Sequence, residues 1–286
     1  VYTILGKTRL APKITRYVVR APDVCRAWRA GQFVIVQPRP ESERIPLTVA
    51  DAYFDRIVLV VREVGRTTAV LADMPEGEAL AHVCGPLGEP TPVRRVGTVA
   101  VVAGGIGIAA AWPIARAAKA AGNRVISILG ARTRSGLILE AEMRRTSDET
   151  FVVTEDGSLG EKGLVTAALA RVLEDGRRLD LVLAIGPVAM MQAVAELTRP
   201  RRIATKVSLN TLMIDGTGMC GGCRVSVSGR PRFVCLDGPE FDAHEVDFDG
   251  MMRRQAIYAA QEKRSYEDYL RQRAFRFAAR LAGVER

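Results

Sequence analysis

Asp215, Cys220, Cys223 and Cys235 stand in the pattern D-x4-C-x2-C-x11-C, with Gly216, Gly218, Gly221, Gly222 and Gly229 between and just after the first three. This is iron–sulfur spacing. A plant-type [2Fe–2S] cluster takes three cysteines from C-x4-C-x2-C on one tight loop and a fourth from a distant segment. Here an aspartate fills the first place. The glycines suit the task, because a loop wrapping a small anionic cluster turns its N–H groups inward, and Gly adopts the left-handed conformations this needs without steric cost. Three thiolates and a carboxylate could also hold a tetrahedral zinc. Zinc sites usually bring a second close Cys/His pair, whereas Cys235 stands alone, so the spacing favours an iron–sulfur centre and electron transfer.

Other residues suit phosphate-bearing cofactors. Arg44-Ile45-Pro46-Leu47-Thr48 follows a polar loop and opens a strand. An Arg can pair with a pyrophosphate while strand backbone and a Thr hydroxyl meet the edge of a flat ring. Gly65-Arg66-Thr67-Thr68 precedes a helix-like stretch over 69–72, where N–H groups and hydroxyls can receive phosphate. A surface arginine and a plain helix cap would explain the same residues. Gly105-Ile106-Gly107-Ile108-Ala109-Ala110 matches G-x-G-x-x-A between a strand and a helix, the context of a dinucleotide pyrophosphate site. A glycine turn needed only for tight packing is the plainer alternative. Gly186-Pro187-Val188-Ala189-Met190 follows the last strand of the same unit, at the same carboxyl edge. Where NAD-binding folds often place an acid, the chain reads Ala131-Arg132-Thr133-Arg134-Ser135. Arg and Ser there can accommodate a 2′-phosphate, or Arg132 and Arg134 can lie in solvent, so NAD against NADP stays open.

The elements that must position these residues fall into two patterns. Short strand-like runs at 2–10, 15–20, 32–37, 47–51 and 57–61 are separated by Pro, Gly and Asp, the pattern of a small antiparallel barrel. From residue 96 the pattern changes to strands at 99–103, 124–130, 151–154 and 181–185, with helices beginning near Ile108, Leu139, Leu164 and Ala189. That predicts a parallel α/β sheet. Residues 96–115 carry no charge over twenty positions, but Gly97, Gly104, Gly105, Gly107 and Pro113 interrupt them. They read as strand, loop and helix rather than a membrane span.

At 286 residues the chain exceeds the usual single-domain size. A hydrophobic fraction of 48% with 26% charged residues is that of a globular protein with a substantial core. The net charge of +9, from 41 Lys+Arg against 32 Asp+Glu, is spread along the chain; no basic stripe with interleaved aromatics points to nucleic acid. Five cysteines, an odd number with no secretory leader before them, do not make a disulfide framework, and a reducing cytoplasm is expected.

A barrel with R-x-P-L-T and G-x-T-T, a nucleotide unit with G-G-I-G and a terminal iron–sulfur loop together resemble the ferredoxin–NADP reductase superfamily over essentially the whole chain. Two branches are close. In the electron-transfer subunit of dihydroorotate dehydrogenase the loop is C-x4-C-x2-C-x11-C. In the small (alpha) subunit of NADH-dependent reduced ferredoxin:NADP oxidoreductase, also described as a sulfide dehydrogenase subunit, an aspartate replaces the first cysteine. The run from Asp215 to Arg224, and Cys235-Leu236-Asp237-Gly238-Pro239-Glu240-Phe241, look like the second branch.

The resemblance implies an FAD-binding β-barrel over 1–95, an NAD(P)-binding α/β domain over 96–205, a [2Fe–2S] cluster-binding segment over 206–250 and a helical tail over 251–286. FAD would meet Arg44, Pro46, Leu47 and Thr48 on its ring and phosphate side, and Gly65, Thr67 and Thr68 at its pyrophosphate. The cluster would be held by Asp215, Cys220, Cys223 and Cys235. NAD(H) or NADP(H) would lie across Gly104, Gly105, Gly107, Gly186 and Pro187. A nicotinamide moves two electrons as hydride and a cluster moves one, so the flavin stands between them. No acid–base side chain is required, and of His82 and His244 the latter reads as structural. Cys25 and Cys84 are expected as buried packing residues.

The chain continues for 51 residues after Cys235 (286 − 235). The tail over 248–286, with Tyr258, Tyr266, Tyr269, Leu270 and Phe275 among many charges, reads as helices that dock a partner or pack on their own domain. With no further cysteine cluster and no second dinucleotide fold, a larger flavoprotein/iron–sulfur subunit is the expected partner. Electrons would then pass between NAD(H), NADP(H) and ferredoxin, with electron bifurcation or sulfide chemistry open. A zinc-stapled nucleotide-binding module is the alternative from a different class.

Overall fold

The computed structural model describes residues 1–281, so the last five positions of the expected helical tail lie outside the described residues. The first seven strands are β1 (Tyr2–Ala11), β2 (Ile14–Arg20), β3 (Phe33–Gln37), β4 (Ile45–Tyr53), β5 (Arg56–Arg62), β6 (Ala79–Leu80) and β7 (His82–Leu87). They pair in the order β6-β1-β2-β5-β4-β3-β7, with every pairing antiparallel, as a near-closed barrel. Ile4, Tyr17, Val19, Val34, Val36, Val49 and Leu59 fill its interior. Helix α1 (Pro22–Ala27) has Pro in its first turn, and α2 (Arg66–Asp73) plugs the barrel, its Leu71 carbonyl accepting from the Tyr17 hydroxyl at 3.3 Å.

Strand β3 is apolar at four consecutive positions because both of its faces are covered. Val34 and Val36 point into the barrel, while Phe33 and Ile35 join a second core shared with the rest of the chain.

The second sheet consists of β8 (Thr98–Gly104), β9 (Arg124–Ala131), β10 (Glu149–Thr154), β11 (Glu161–Lys162), β12 (Leu181–Ile185), β13 (Thr205–Ser208) and β16 (Glu240–Asp242). Its order is β11-β10-β9-β8-β12-β13-β16, parallel except where β13 meets β16. Helices α3 (Gly107–Ala120), α4 (Glu140–Thr146), α5 (Val165–Glu174) and α6 (Val188–Thr198) cover the two faces. The uncharged stretch 96–115 is therefore β8, a tight turn and the first half of α3, and no helix among the described residues is long and apolar enough to cross a membrane. Helix α3 lies between sheet and barrel: its Ile108, Ala111 and Ile114 share a core with Ala50, Val58 and Val60, and Arg116 pairs with Asp51 at 2.5 Å.

Within the cysteine segment, β14 (Arg224–Val227) and β15 (Arg230–Phe233) form a hairpin turning at Ser228 and Gly229, both with positive φ. A short helix α7 (Val234–Asp237) follows, then β16, which stitches the segment back to the nucleotide sheet through Val207 and Phe241. Helix α8 (Phe248–Gln255) is capped by Asp247, which accepts from the Gly250 N–H at 2.8 Å. Helix α9 (Ala259–Leu281) packs back on the barrel: Tyr266 donates to Glu63 at 3.0 Å, Tyr269 donates to Asp73 at 2.8 Å, and Arg273 bridges both carboxylates. Of the two readings of the tail, packing on its own chain is the one the described residues show.

A carboxylate sits where barrel, connector and sheet meet. Glu240 Oε1 accepts from the Thr91 hydroxyl in the connector, and its enclosed Oε2 has no partner among the described residues. Burial holds this carboxyl above the ordinary range, opposed by the Thr91 hydrogen bond and the Lys206 charge. The native state thus keeps its proton to higher pH than the unfolded chain. Stability from this group is full below the unfolded value of about 4.3 and declines as pH rises through the folded one. Melting curves of the wild type and Glu240→Gln from pH 4 to 7 are expected to diverge upward, with the Gln variant gaining relative to wild type. Parallel curves would show that Glu240 titrates alike in the native and the unfolded chain.

Candidate functional site

Sheet topology brings the glycine turns together. Strands β8 and β12 are neighbours, and the chain winds outward from them in opposite directions, so the crevice between their carboxyl ends is the switch point where open α/β sheets take ligands. A Cβ on Gly107 would lie 2.3 Å from the Ile185 carbonyl oxygen, one on Gly104 2.6 Å from Met190 Sδ, and one on Gly186 2.8 Å from Met190 Cε. These three glycines let the two turns close on each other. Gly105 differs: its φ is +56°, and a Cβ there would meet nothing within 4 Å. It bends the chain beside open space at the head of α3, and Pro187 is the N-cap of α6, so the N-termini of two helices converge on one edge, where in α3 the Ile108 and Ala109 N–H groups already donate to the Gly105 and Ile106 carbonyls. Arg132 and Arg134, at the end of β9, are exposed and make no ion pair among the described residues.

On the barrel, cross-strand register sorts the expected flavin residues. Thr48 opposes Phe33 and Pro46 opposes Ile35, so these side chains share the face that looks away from the barrel interior. Leu47 opposes Val34 and packs into the barrel core, leaving its backbone to the other face. Arg44 is exposed and unpaired among the described residues. Gly65 is the N-cap of α2; Thr68 Oγ1 accepts from the Gly65 N–H at 3.0 Å and donates to the Gly65 carbonyl at 2.9 Å. Its hydroxyl is committed to capping, and Thr67 is buried, so the backbone of this turn is what remains for an anion.

The thiol loop is partly assembled. Cys223 and Cys235 are buried, with their sulfurs 3.2 Å apart. Burial, then the neighbouring Cys223 thiol, pushes the Cys235 thiol up to about 12. Asp215 instead accepts from the N–H groups of Thr217 at 2.9 Å and Cys220 at 2.8 Å, which holds its carboxyl below the usual range. Cys220 is exposed at the loop tip and accepts weakly from the Gly222 N–H at 3.4 Å. The structure thus brings Cys223 to Cys235 and Asp215 to Cys220, and among the described residues no cluster of three or more ligands is gathered. Gly216, Gly218 and Gly221 all have positive φ, as a loop that wraps a small anion requires.

Three features lay beyond the sequence reading. Gly216 sits on the barrel: a Cβ there would lie 2.7 Å from Leu87 Cδ1 and 2.8 Å from Ile35 Cγ1. The cysteine loop therefore touches the strand pair that carries Pro46 and Thr48. Cys84, expected as a packing residue, is exposed, because it opposes Ile35 on the edge strand β7 and shares its outward face; Cys25 is half-buried. A cleft of about 1380 Å³ also opens between α2, the 39–43 loop, β1, β2 and α9, containing Thr67 and Thr68 but not Arg44, Pro46 or Thr48. The alternation of Lys7 and Arg9 along β1 was the available signal for its basic wall. His244 binds Thr198 Oγ1 at 3.0 Å in a buried threonine network, in keeping with a structural role.

A near-closed antiparallel barrel, a parallel nucleotide sheet and a terminal cysteine loop define an oxidoreductase of the ferredoxin–NADP reductase superfamily. Residues 101–196 match the oxidoreductase NAD-binding domain, and residues 210–247 match the iron–sulfur cluster binding domain of dihydroorotate dehydrogenase B. A Thermotoga maritima protein, a homologue of the dihydroorotate dehydrogenase B (NAD(+)) electron transfer subunit, is 44% identical over 94% of this chain and 95% of its own. The Bacillus velezensis dihydroorotate dehydrogenase B electron transfer subunit is 32% identical over 85% of this chain and 97% of its own. The chain belongs to this family of electron transfer subunits and their homologues. A chain from the solved structure of an NADH-dependent reduced ferredoxin-NADP oxidoreductase superposes with a TM-score of 0.89 at 43% identity, covering 94% of this chain and 98% of that one. Phthalate dioxygenase reductase, at 18% identity and a TM-score of 0.57 over 79% of this chain and 85% of its own, shares the fold.

Because Gly107 meets a backbone carbonyl that cannot swing aside, Gly107→Ala is expected to destabilise the chain by about 1–3 kcal/mol in denaturant unfolding without nucleotide. A change under about 0.5 kcal/mol, the ordinary surface range, would show that the turn does not need its close approach.

Proposed function

We propose that the chain is the electron-transfer subunit of a ferredoxin:NAD(P) oxidoreductase, passing electrons between a nicotinamide nucleotide, FAD and a [2Fe–2S] cluster. The observation that carries this reading is the shared core: Cys223 and Cys235 are buried in the same cluster of side chains as Phe33 and Ile35, the outward face of the barrel strand beside Pro46 and Thr48. A one-electron centre and a flat ring placed on those two surfaces would be separated by little more than side-chain packing.

The residues fit the groups. Two buried thiols at 3.2 Å make a site that bound iron would complete by taking them as thiolates. Cys223 and Cys235 would hold one side of the cluster; Cys220 and Asp215, at the loop tip, would supply the other. Pro46 and Thr48 would present a flat apolar and hydrogen-bonding face to FAD, with Arg44 and the α2 N-terminus nearer its phosphates. The Gly105 turn and the heads of α3 and α6 would cradle the nucleotide pyrophosphate, with Gly104, Gly107, Gly186 and Pro187 shaping the crevice. When bound, the flavin supplies the conversion between hydride and single electrons. The protein's own work is positioning and exclusion of water, and no side-chain proton donor is required.

The 0.89 structural match supports ferredoxin as the remote redox partner through a larger flavoprotein/iron–sulfur subunit, with a cytoplasmic location and flavin-based bifurcation as part of the same proposal. A second reading is supported by the Thermotoga relative: an electron-transfer subunit of dihydroorotate dehydrogenase. Asp215 separates them, since that branch carries cysteine at this place.

The anaerobically purified chain is expected to show flavin bands and a cluster shoulder that bleach on NADH, with about two irons and no zinc per chain. A colourless, zinc-containing protein would sink the proposal and leave a nucleotide-binding module. Asp215→Cys is expected to keep a cluster with a changed spectrum and potential. An unchanged spectrum would restrict Asp215 to the loop-capping role that its two N–H contacts already give it.

A further inference from the structure

The five cysteines differ in what they can reach. Cys25 is half-buried, its thiol donating to the Phe54 carbonyl at 3.5 Å, and Cys84 is exposed on β7. Among the described residues one pair of sulfurs is in contact, Cys223 and Cys235, each only 2% exposed. The β14–β15 hairpin sets that contact. Its register runs from Val227 opposite Arg230 to Arg224 opposite Phe233, so Cys223 and Val234 come next, and the Val234 N–H donates to the Cys223 carbonyl at 3.3 Å. The first turn of α7 then directs the Cys235 N–H at Cys223 Sγ, 3.5 Å away. Paired strands, and not the glycine loop, thus hold the two sulfurs together.

Cys220 is the opposite case. It is exposed at the loop tip, between Gly218 and Gly221 with their positive φ, and it precedes Cys223 in C-x2-C. An accessible thiol beside a buried resolving one is the arrangement by which a disulfide is taken from solution and handed inward.

We propose that Cys220, Cys223 and Cys235 form a thiol–disulfide relay that stores the buried pair as a Cys223–Cys235 disulfide in a chain without iron. The inference goes beyond electron transfer, and rests on that reading only for the claim that bound iron protects the pair. The oxidant is a low-molecular-weight disulfide. The Cys220 sulfur attacks it, forming a mixed disulfide and releasing one small thiol. The Cys223 sulfur next attacks Cys220, and the second small thiol leaves. Cys235 then attacks Cys223, and Cys220 departs as a thiol. In sum two protein thiols give up two electrons and two protons, and the small disulfide leaves as two thiols. The last step needs an approach of only about 1 Å, since a disulfide bond is about 2.05 Å long and the sulfurs already stand 3.2 Å apart. Closure shields the pair from further oxidation and makes reduction a precondition for iron entry.

The test strips the full-length chain of metal with a chelator under anaerobic conditions, treats it with oxidised glutathione, alkylates the remaining thiols and maps the peptides by mass spectrometry. Two of the five thiols are expected to be lost, in a cross-link joining positions 223 and 235, and dithiothreitol should restore both the thiols and iron uptake. Cys220→Ser should reach the same cross-link at least about tenfold more slowly, because the buried thiols then react only on local opening. Cys84→Ser should close at the wild-type rate. No cross-link, a final Cys220–Cys223 bridge, glutathione retained on the chain, or Cys220→Ser closing as fast as wild type would each overturn the relay. Equally fast closure with iron bound would overturn the protection by iron. A reduced chain that takes up no iron would sink the cluster reading instead, leaving the relay to be decided by the cross-link.

Discussion

The contact on which the arrangement depends is the one between Gly216 and the Ile35–Leu87 pair of the barrel. No side chain fits there, since a Cβ would come within 2.8 Å of both neighbours, so the cysteine loop rests with its backbone against the barrel wall. Packing of this density yields little, and it fixes the loop's distance from the strand face that bears Pro46 and Thr48. Ile35 can serve as that wall because β3 is buried on both sides, with Val34 and Val36 anchoring it from within. A polar residue on either face would leave one of two cores unfilled.

Polar contacts then set the relation of barrel to sheet. Arg116 reaches Asp51 from α3, Thr91 in the connector reaches Glu240 on β16, and the Thr91 N–H donates to the Ala30 carbonyl at 2.9 Å. The first is partly exposed and is worth at most about 1 kcal/mol. The second is enclosed, and leaving a buried oxygen without a partner costs about 1–3 kcal/mol, the same burial that pushes this carboxyl above the ordinary range. Apolar packing of α3 against Val58 and Val60 therefore does most of the holding, and the polar contacts choose the orientation.

Much of this was legible in the residues because local pattern and burial agree. The β2 run alternates over 16–20, Ile57–Val61 of β5 is continuously apolar between the barrel interior and α3, and Val99–Val102 of β8 is continuously apolar between two helical layers, so each announced its setting. Strand β7 did not, because Gly85 and Pro86 break its run, and its place is set by pairing with β3. Strands β13 and β16 are only four and three residues long, and what makes them strands is their pairing, β13 on β12 and β16 on β13, where Phe241 meets Val207. Exposure of Cys84 likewise follows from its edge position and not from its residue type. At the candidate site the ligand types and spacing could be read, but the hydrogen bonds that tie Asp215 to its own loop could not, since they depend on where Gly216 and Gly218 turn the backbone.

The kind of signal that survived in the sequence reflects the kind of chemistry. A hydrolase would have advertised itself through a base, a nucleophile and an orienting acid, each with a perturbed pKa. Here the two histidines are elsewhere: His82 lies exposed on β7, and His244 is bound to Thr198 beneath α6. Moving electrons between bound groups asks the protein for distance, shape and a dry path, and these are written in residues that permit close backbone approach. Hence Gly104, Gly107, Gly186 and Gly216, at each of which an added Cβ would lie within 2.8 Å of a neighbour, say more about the function than any ionisable side chain outside the cysteine loop.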